Sequence, residues 1–208
     1  MDGGGRVDAD ENSGTVDFWF DPSCPYTWNA SVWLWEVAQR RALVLRWHLM
    51  SLAVLNEDRP VPPEHREPLQ QGRRALRVLA AAEEYGGNDA LADLYRVLGT
   101  RRHENGVPYN PALLCEAVRE AGLPDGIAAA ADEERHDDAV RASHEAAQRR
   151  IGTAAGSPIL ALAGQRGFFG PVVDPAPTGE QADSLLEAIR LLTSVTSFSE
   201  LKTARTPR

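Results

Sequence analysis

The spacing of apolar residues changes character three times along the chain, and each change predicts a change of element. From Thr15 to Phe20 the run TVDFWF is β-branched and aromatic and is closed by Asp21 and Pro22, the pattern of a buried strand ending in a turn. Pro25 then suits the first position of a helix, where its missing N–H is not needed. The segment to Arg40 places Trp28, Val32 and Trp35 on one helical stripe. ALVLRWHLMSL, residues 42–52, reads as a second strand, which completes one parallel crossover unit.

Between about residues 63 and 152 the period becomes helical throughout. Asn110, Pro111 and Gly122 frame one of these helices as cap, first-turn residue and stop. Strand character returns after Ser157 in PILALAG and again in GFFGPVV. Thr178 with Gln181 then offers a capping box to a last helix carrying Leu185, Ile189 and Leu192. The expected order is β-α-β, a helical block, then β-β-α, in an α/β chain. Its parts are residues 1–14 as a disordered segment, 15–62 joined with 153–202 as the α/β portion, 63–152 as a helical insertion, and 203–208 as a frayed tail.

Composition narrows the function classes. The 208 residues carry a net charge of -8, and no apolar run reaches the roughly 20 residues of a membrane helix. An acidic chain with scattered arginine pairs, such as Arg73 with Arg74, has no basic stripe for a phosphate backbone, so neither nucleic acid nor membrane is an expected partner. The polar, glycine-rich start has no apolar core of a secretion signal, and the two cysteines, Cys24 and Cys115, lie in unlike surroundings. Both features point to the cytoplasm rather than to a disulfide scaffold. The five histidines lack metal-ligand spacing and DPSCPY lacks the glycines of a phosphate loop, so no metal and no nucleotide cofactor is expected.

The candidate chemistry is concentrated in FDPSCPYTWN. Cys24 follows the first strand and precedes Pro25, which sets it at a helix N-terminus, where unpaired amides and the helix dipole favour a thiolate and predict a lowered pKa. Thr27 stands one turn on, where its hydroxyl can hydrogen-bond the sulfur but cannot resolve a mixed disulfide. Tyr26, between them, is expected at the exposed helix tip, lining a pocket. Cys115 lies on a core-facing helix and is expected to be an inert thiol. Pro158 opens the later strand. It can sit there simply because a first strand residue can forgo its donor, or because a cis bond turns the Ser157 backbone outward toward a substrate.

Taken together, the motif, the element order and the proline resemble the DsbA-like thioredoxin-fold family, which has a helical domain inserted in the thioredoxin-like fold. The likeness is closest to the actinobacterial mycothiol-dependent oxidoreductases, including the nitroreductase group. DFWFDPSCPYTW is similar to that group's DFWFDP-CPWCW opening, and HLMSLAVLNE, GSPIL and FFGPV also correspond, so the resemblance runs from Thr15 to about Lys202. It implies that Cys24 is the nucleophile, that Pro158 is the cis-proline facing it, and that Pro25 and Tyr26 fill the middle of the motif. It further implies that Asn56 lies near the substrate cleft, with His65 in the neighbouring region; the Ser157 backbone, turned outward by a cis bond, is the expected contact for a small thiol. Thr27 departs from the family, because a second cysteine would release the first.

Three functions compete on this basis. One is a monothiol oxidoreductase that uses mycothiol or another low-molecular-weight thiol as cosubstrate on a small organic or disulfide substrate. The second is a thiol transferase or isomerase like the kappa-type glutathione transferases, which activate a bound thiol without a protein disulfide. The third is a binding module without catalysis.

Overall fold

The protein is described by a computed structural model covering residues 14–204. Of the two terminal segments, Gly14, Thr203 and Ala204 are within it, and the rest lie outside the described residues. The first strand, β1 (Thr15–Phe20), is buried along its whole length. It leads through Asp21–Cys24 into α1 (Pro25–Arg41), which ends in a left-handed Ala42, and then into β2 (Val44–Leu49). A single turn, α2 (Leu52–Leu55), precedes the long helix α3 (Pro63–Gly99), which is broken at Gly86 and Gly87 and runs into a π-helical turn over Thr100–Glu104. The helix α4 (Pro111–Glu120), two 3-10 segments (Asp125–Asp132 and Glu134–His136) and α5 (Asp137–Ile151) follow. The chain then returns to the sheet through β3 (Ile159–Leu162) and β4 (Phe168–Phe169), and ends in α6 (Gly179–Ser194).

The sheet order is β2-β1-β3-β4, with β1 parallel to β2 and antiparallel to β3, and β3 antiparallel to β4. Because strand side chains alternate, β1 faces two layers. Val16, Phe18 and Phe20 enter the large core, while Trp19 packs with Met50, Ala147, Ile159 and Ala161 on the α5 side. The helical block is not walled off from the sheet. The second half of α3 brings Leu91, Leu94, Tyr95 and Leu98 into the same core as Phe20, Trp28 and Trp47, and the Tyr95 ring stacks on Phe20 with centroids 3.8 Å apart. The outer edge of β2 is closed by Asn88, whose Oδ1 accepts from the Trp47 N–H (3.0 Å) and whose Nδ2 donates to the Trp47 carbonyl (2.7 Å). A side-chain amide thus imitates a neighbouring strand.

Four expectations are corrected. The last strand is two residues rather than a run through GFFGPVV: the Gly170 N–H bonds back to the Pro158 carbonyl, and Pro171, after a cis bond, has no donor to extend the ladder. Thr178 makes no side-chain cap on α6; the free Gly179 N–H donates instead to Glu36 Oε1 (2.6 Å) of α1, so a tertiary partner replaces the capping box. Helix α1 is deepest not on the Trp28 stripe but at Trp33, Leu34 and Val37, because α6 covers its other side and takes the Trp33 indole N–H on the Ala182 carbonyl. The alanine-rich stretch before α5 winds as 3-10 rather than as one α-helix. The Asn110 cap forms as expected, its Oδ1 accepting from the Leu113 N–H (2.9 Å).

Candidate active site

The turn between β1 and α1 is built around Asp21. Its carboxylate accepts from the Ser23 N–H (2.8 Å), the Ser23 hydroxyl (2.5 Å) and the Leu52 N–H (2.7 Å), an Asx-type turn that also anchors the start of α2. From the other side, the Pro22 carbonyl accepts from the Tyr109 hydroxyl and His103 Nε2, both at 2.8 Å, and His103 stacks on Trp28. The loop preceding Cys24 is therefore clamped by α2 on one side and by the segment between α3 and α4 on the other. Sequence reasoning passed over Asp21, His103 and Tyr109. The Asp-Pro-Ser triplet carried a turn signal for the first, and no local pattern marked the other two.

Cys24 is the N-cap of α1, and its backbone N–H closes the turn onto the Asp21 carbonyl. The Ser157–Pro158 bond is cis and sets the Ser157 carbonyl against the sulfur, with Sγ 3.6 Å from that oxygen. The Ser157 hydroxyl accepts from the Asp21 N–H (2.8 Å) and lies 2.7 Å from the Thr27 hydroxyl. Four of the sequence candidates, Cys24, Thr27, Ser157 and Pro158, thus meet at one point, although more than a hundred residues separate the two pairs.

The expected lowering of the Cys24 pKa is overturned. The residue keeps part of its surface in solvent, yet burial of the thiol group is the largest influence and pushes its pKa above the ordinary thiol value. The Thr27 hydroxyl and the amides of Thr27 and Tyr26 work in the opposite direction, and the Asp21 carboxylate adds to the rise. Helix position alone gives the amide contribution; the desolvation and the neighbouring carboxylate come from tertiary structure. Asp21 is itself buried, which raises its pKa against the hydrogen bonds it accepts.

The remaining candidates are placed as follows. Pro25 and Tyr26 are half-buried in the first turn of α1, so Tyr26 is not the fully exposed tip that was expected. Asn56 donates to the Leu52 carbonyl (2.7 Å) and lines a cavity of about 300 Å³ together with Ser23, Leu52, Pro60, Val61 and Leu69, directly beside the Cys24 loop. His65 falls in the first turns of α3, near that cavity in sequence; its side chain lies outside the described residues. Cys115 is exposed on α4 and takes no part in this cluster. Among the described residues no group of His, Cys, Asp and Glu is arranged to hold a metal ion, and no helix is long and apolar enough to cross a membrane.

Residues 23–203 match the family model of Rv2466c-like proteins, described as mycothiol-dependent nitroreductase Rv2466c. The chain belongs to this family. It is 32% identical over 199 residues to the uncharacterized protein Rv2286c of Mycobacterium tuberculosis, covering 93% of this chain and 83% of that protein. Among solved structures, the cytosolic disulfide reductase DsbM from Pseudomonas aeruginosa with GSH has a TM-score of 0.58 at 21% identity, over 86% of this chain and all of that one. A 2-hydroxychromene-2-carboxylate isomerase has a TM-score of 0.61 at 17% identity, over 89% of this chain and all of that one. These likenesses establish a DsbA-like thioredoxin fold, and the family is one of thiol-dependent oxidoreductases.

Proposed function

We propose that the chain is a monothiol, thiol-dependent oxidoreductase in which Cys24 is the nucleophile and a low-molecular-weight thiol such as mycothiol is the cosubstrate, acting in the cytoplasm. The observation that carries this reading is the approach of the Cys24 sulfur to the Ser157 carbonyl beside the cis proline, in a loop whose Ser23 lines a cavity of about 300 Å³. The ionised sulfur attacks one sulfur of a disulfide; a new S–S bond forms to Cys24, the old one breaks, and the partner leaves as a thiolate. Since Thr27 has no sulfur, the adduct stays on Cys24 until a small thiol displaces it, which frees Cys24 and leaves the substrate half joined to that thiol. The protein ends each cycle with its own oxidation state unchanged. Asn56 and the apolar wall of Leu52, Pro60, Val61 and Leu69 would hold the organic part of the substrate or thiol, with Tyr26, Pro25 and His65 as neighbours.

The raised Cys24 pKa supports a second reading, in which a bound small thiol supplies the reacting sulfur, as in kappa-type transferases and isomerases, and the protonated Cys24 only donates a hydrogen bond. One experiment separates the two: turnover of a mixed disulfide of mycothiol, with mycothiol as reductant, by the parent, Cys24→Ala and Cys24→Ser proteins. The monothiol reading predicts loss of activity in both variants. Activity retained by Cys24→Ser would transfer the case to the second reading.

A further inference from the structure

We infer that Arg141 of α5 is a positioning residue for the cavity beside the Cys24 loop: its two-pronged ion pair with Glu57 holds the exposed part of the cavity wall and thereby sets the affinity for the group seated there; this rests on the substrate entering that cavity. Leu52 and Asn56 line the cavity from α2 and its end, and Pro60 and Val61 line it from the turn that follows. The two ends of this wall have their own anchors. At its start the Ser51 N–H donates to His144 Nδ1 (3.4 Å) and the Leu52 N–H to the Asp21 carboxylate (2.7 Å), and near its end Arg66 Nε donates to the Val61 carbonyl (3.3 Å). Between these anchors residues 57–60 are exposed, and their backbone bonds are local, from the Glu57 N–H to the Val54 carbonyl and from the Arg59 N–H to the Asn56 carbonyl. Among the described residues, Arg141 alone joins this stretch to another element by hydrogen bond or ion pair: Nη1 donates to Glu57 Oε1 (2.8 Å) and Nη2 to Oε2 (2.6 Å).

Both side chains of the pair are nearly half exposed, so its contribution to overall stability is small. A weak tie matters where no other exists. Glu57 stands between two residues that line the cavity, Asn56 and Pro60, so pinning it restrains the wall on both sides. The acids of α5 that flank Arg141 do not draw it away: Asp137 accepts from Arg77 and Arg73, and Glu145 pairs with Arg149. The two parallel bonds fix orientation as well as distance, which a lysine ammonium cannot reproduce. No charged side chain is among the described residues that line the cavity, so the pair acts on its shape from beside it. With the wall free to move, only the fraction of molecules that have it in place binds, and the apparent affinity falls by that fraction.

The test compares the parent with Arg141→Ala, Glu57→Ala, the double variant and the exchanged pair Arg141→Glu with Glu57→Arg, in two measurements. Hydrogen exchange, followed by mass spectrometry of peptides spanning the wall, reads the amides of Val54, Leu55, Asn56 and Glu57, all bonded within this turn. Their exchange should be about three- to fivefold faster in either alanine variant. In turnover of the mixed disulfide of mycothiol, KM should rise by a similar factor with kcat unchanged, because the sulfur chemistry is untouched. The double variant should go no further than either single one, and the exchanged pair and Arg141→Lys should each recover part of the parental behaviour. Unaltered exchange in Arg141→Ala, additive effects in the double variant, or a fall in kcat at constant KM would overturn the inference. Exchange is read without turnover, so an inactive parent whose amides respond as expected would count against the proposed function alone.

Discussion

Replacing Gly99 by alanine tests whether the end of α3 is fitted to the tip of α1. A Cβ at this position falls 2.0 Å from Cζ3, 2.2 Å from Cε3 and 2.8 Å from Cη2 of Trp28. Carbon atoms pack at about 3.5–4.0 Å, so the ring or the helix end must retreat by roughly 1.5 Å. The ring has nowhere to go: Trp28 is buried, set edge-on to Tyr95 and Trp35, and stacked over His103. Overpacking of this kind costs about 1–3 kcal/mol, against a gain of about 1 kcal/mol from the better helix propensity of alanine. The contact is with a rigid aromatic ring, which puts the cost at the upper end, and the net expectation is a loss of up to about 2 kcal/mol. Urea unfolding followed by tryptophan fluorescence measures it. Since Trp28 follows Thr27 directly and His103 holds the Pro22 carbonyl, the Cys24 alkylation rate should change as well. A Gly99→Ala protein more stable than the parent, with unaltered Cys24 reactivity, would refute the reasoning.

Further outcomes follow from other contacts. Asn88→Ala removes both bonds to the Trp47 backbone and leaves the β2 edge open, so it should lower stability by about 1–2 kcal/mol and increase self-association, measured by denaturant unfolding and light scattering. Asp137 is held well below the usual carboxylate range by hydrogen bonds from Arg77, with Arg73 adding to the effect. A carboxylate depressed in the folded state contributes stability above its unfolded pKa and loses it as the pH falls through the folded one. Asp137→Asn should therefore be less stable than the parent by about 2 kcal/mol at pH 7, and the gap should begin to narrow only below about pH 4 and keep shrinking as the pH falls towards the depressed folded-state value; a gap independent of pH would contradict this. Thr27→Cys restores a second sulfur at the first turn of α1, so an adduct on Cys24 should become transient and intact mass should show an internal disulfide, 2 Da lighter than the dithiol by about the mass of two hydrogens.

What the sequence made legible was local. The strand closed by Asp21 and Pro22, the proline at the start of α1 and the single sulfur before it located the proposed nucleophile, and Ser157–Pro158 stood out as a proline at a strand start whose cis bond was one of two readings. The family likeness brought Asn56 to the cavity. The sign of the Cys24 pKa was not legible, since the amides that lower it belong to adjacent residues, whereas the burial that raises it depends on segments far along the chain. The same holds for the α6 cap. Thr178 and Gln181 had the right local spacing, but Glu36 of α1 reached the Gly179 N–H first. His103 and Tyr109 escaped notice because their partner is a backbone carbonyl, which leaves no trace in side-chain patterns.

The claim on which the account depends is that one sulfur forms a covalent adduct that the chain itself cannot undo. Intact mass after exposure to oxidised mycothiol, and separately to oxidised glutathione, tests it most directly. The account predicts one added thiol, located at Cys24 by peptide mapping, stable on removal of excess reagent and released by reduced mycothiol. An unmodified Cys24, or an adduct found only on Cys115, would contradict it.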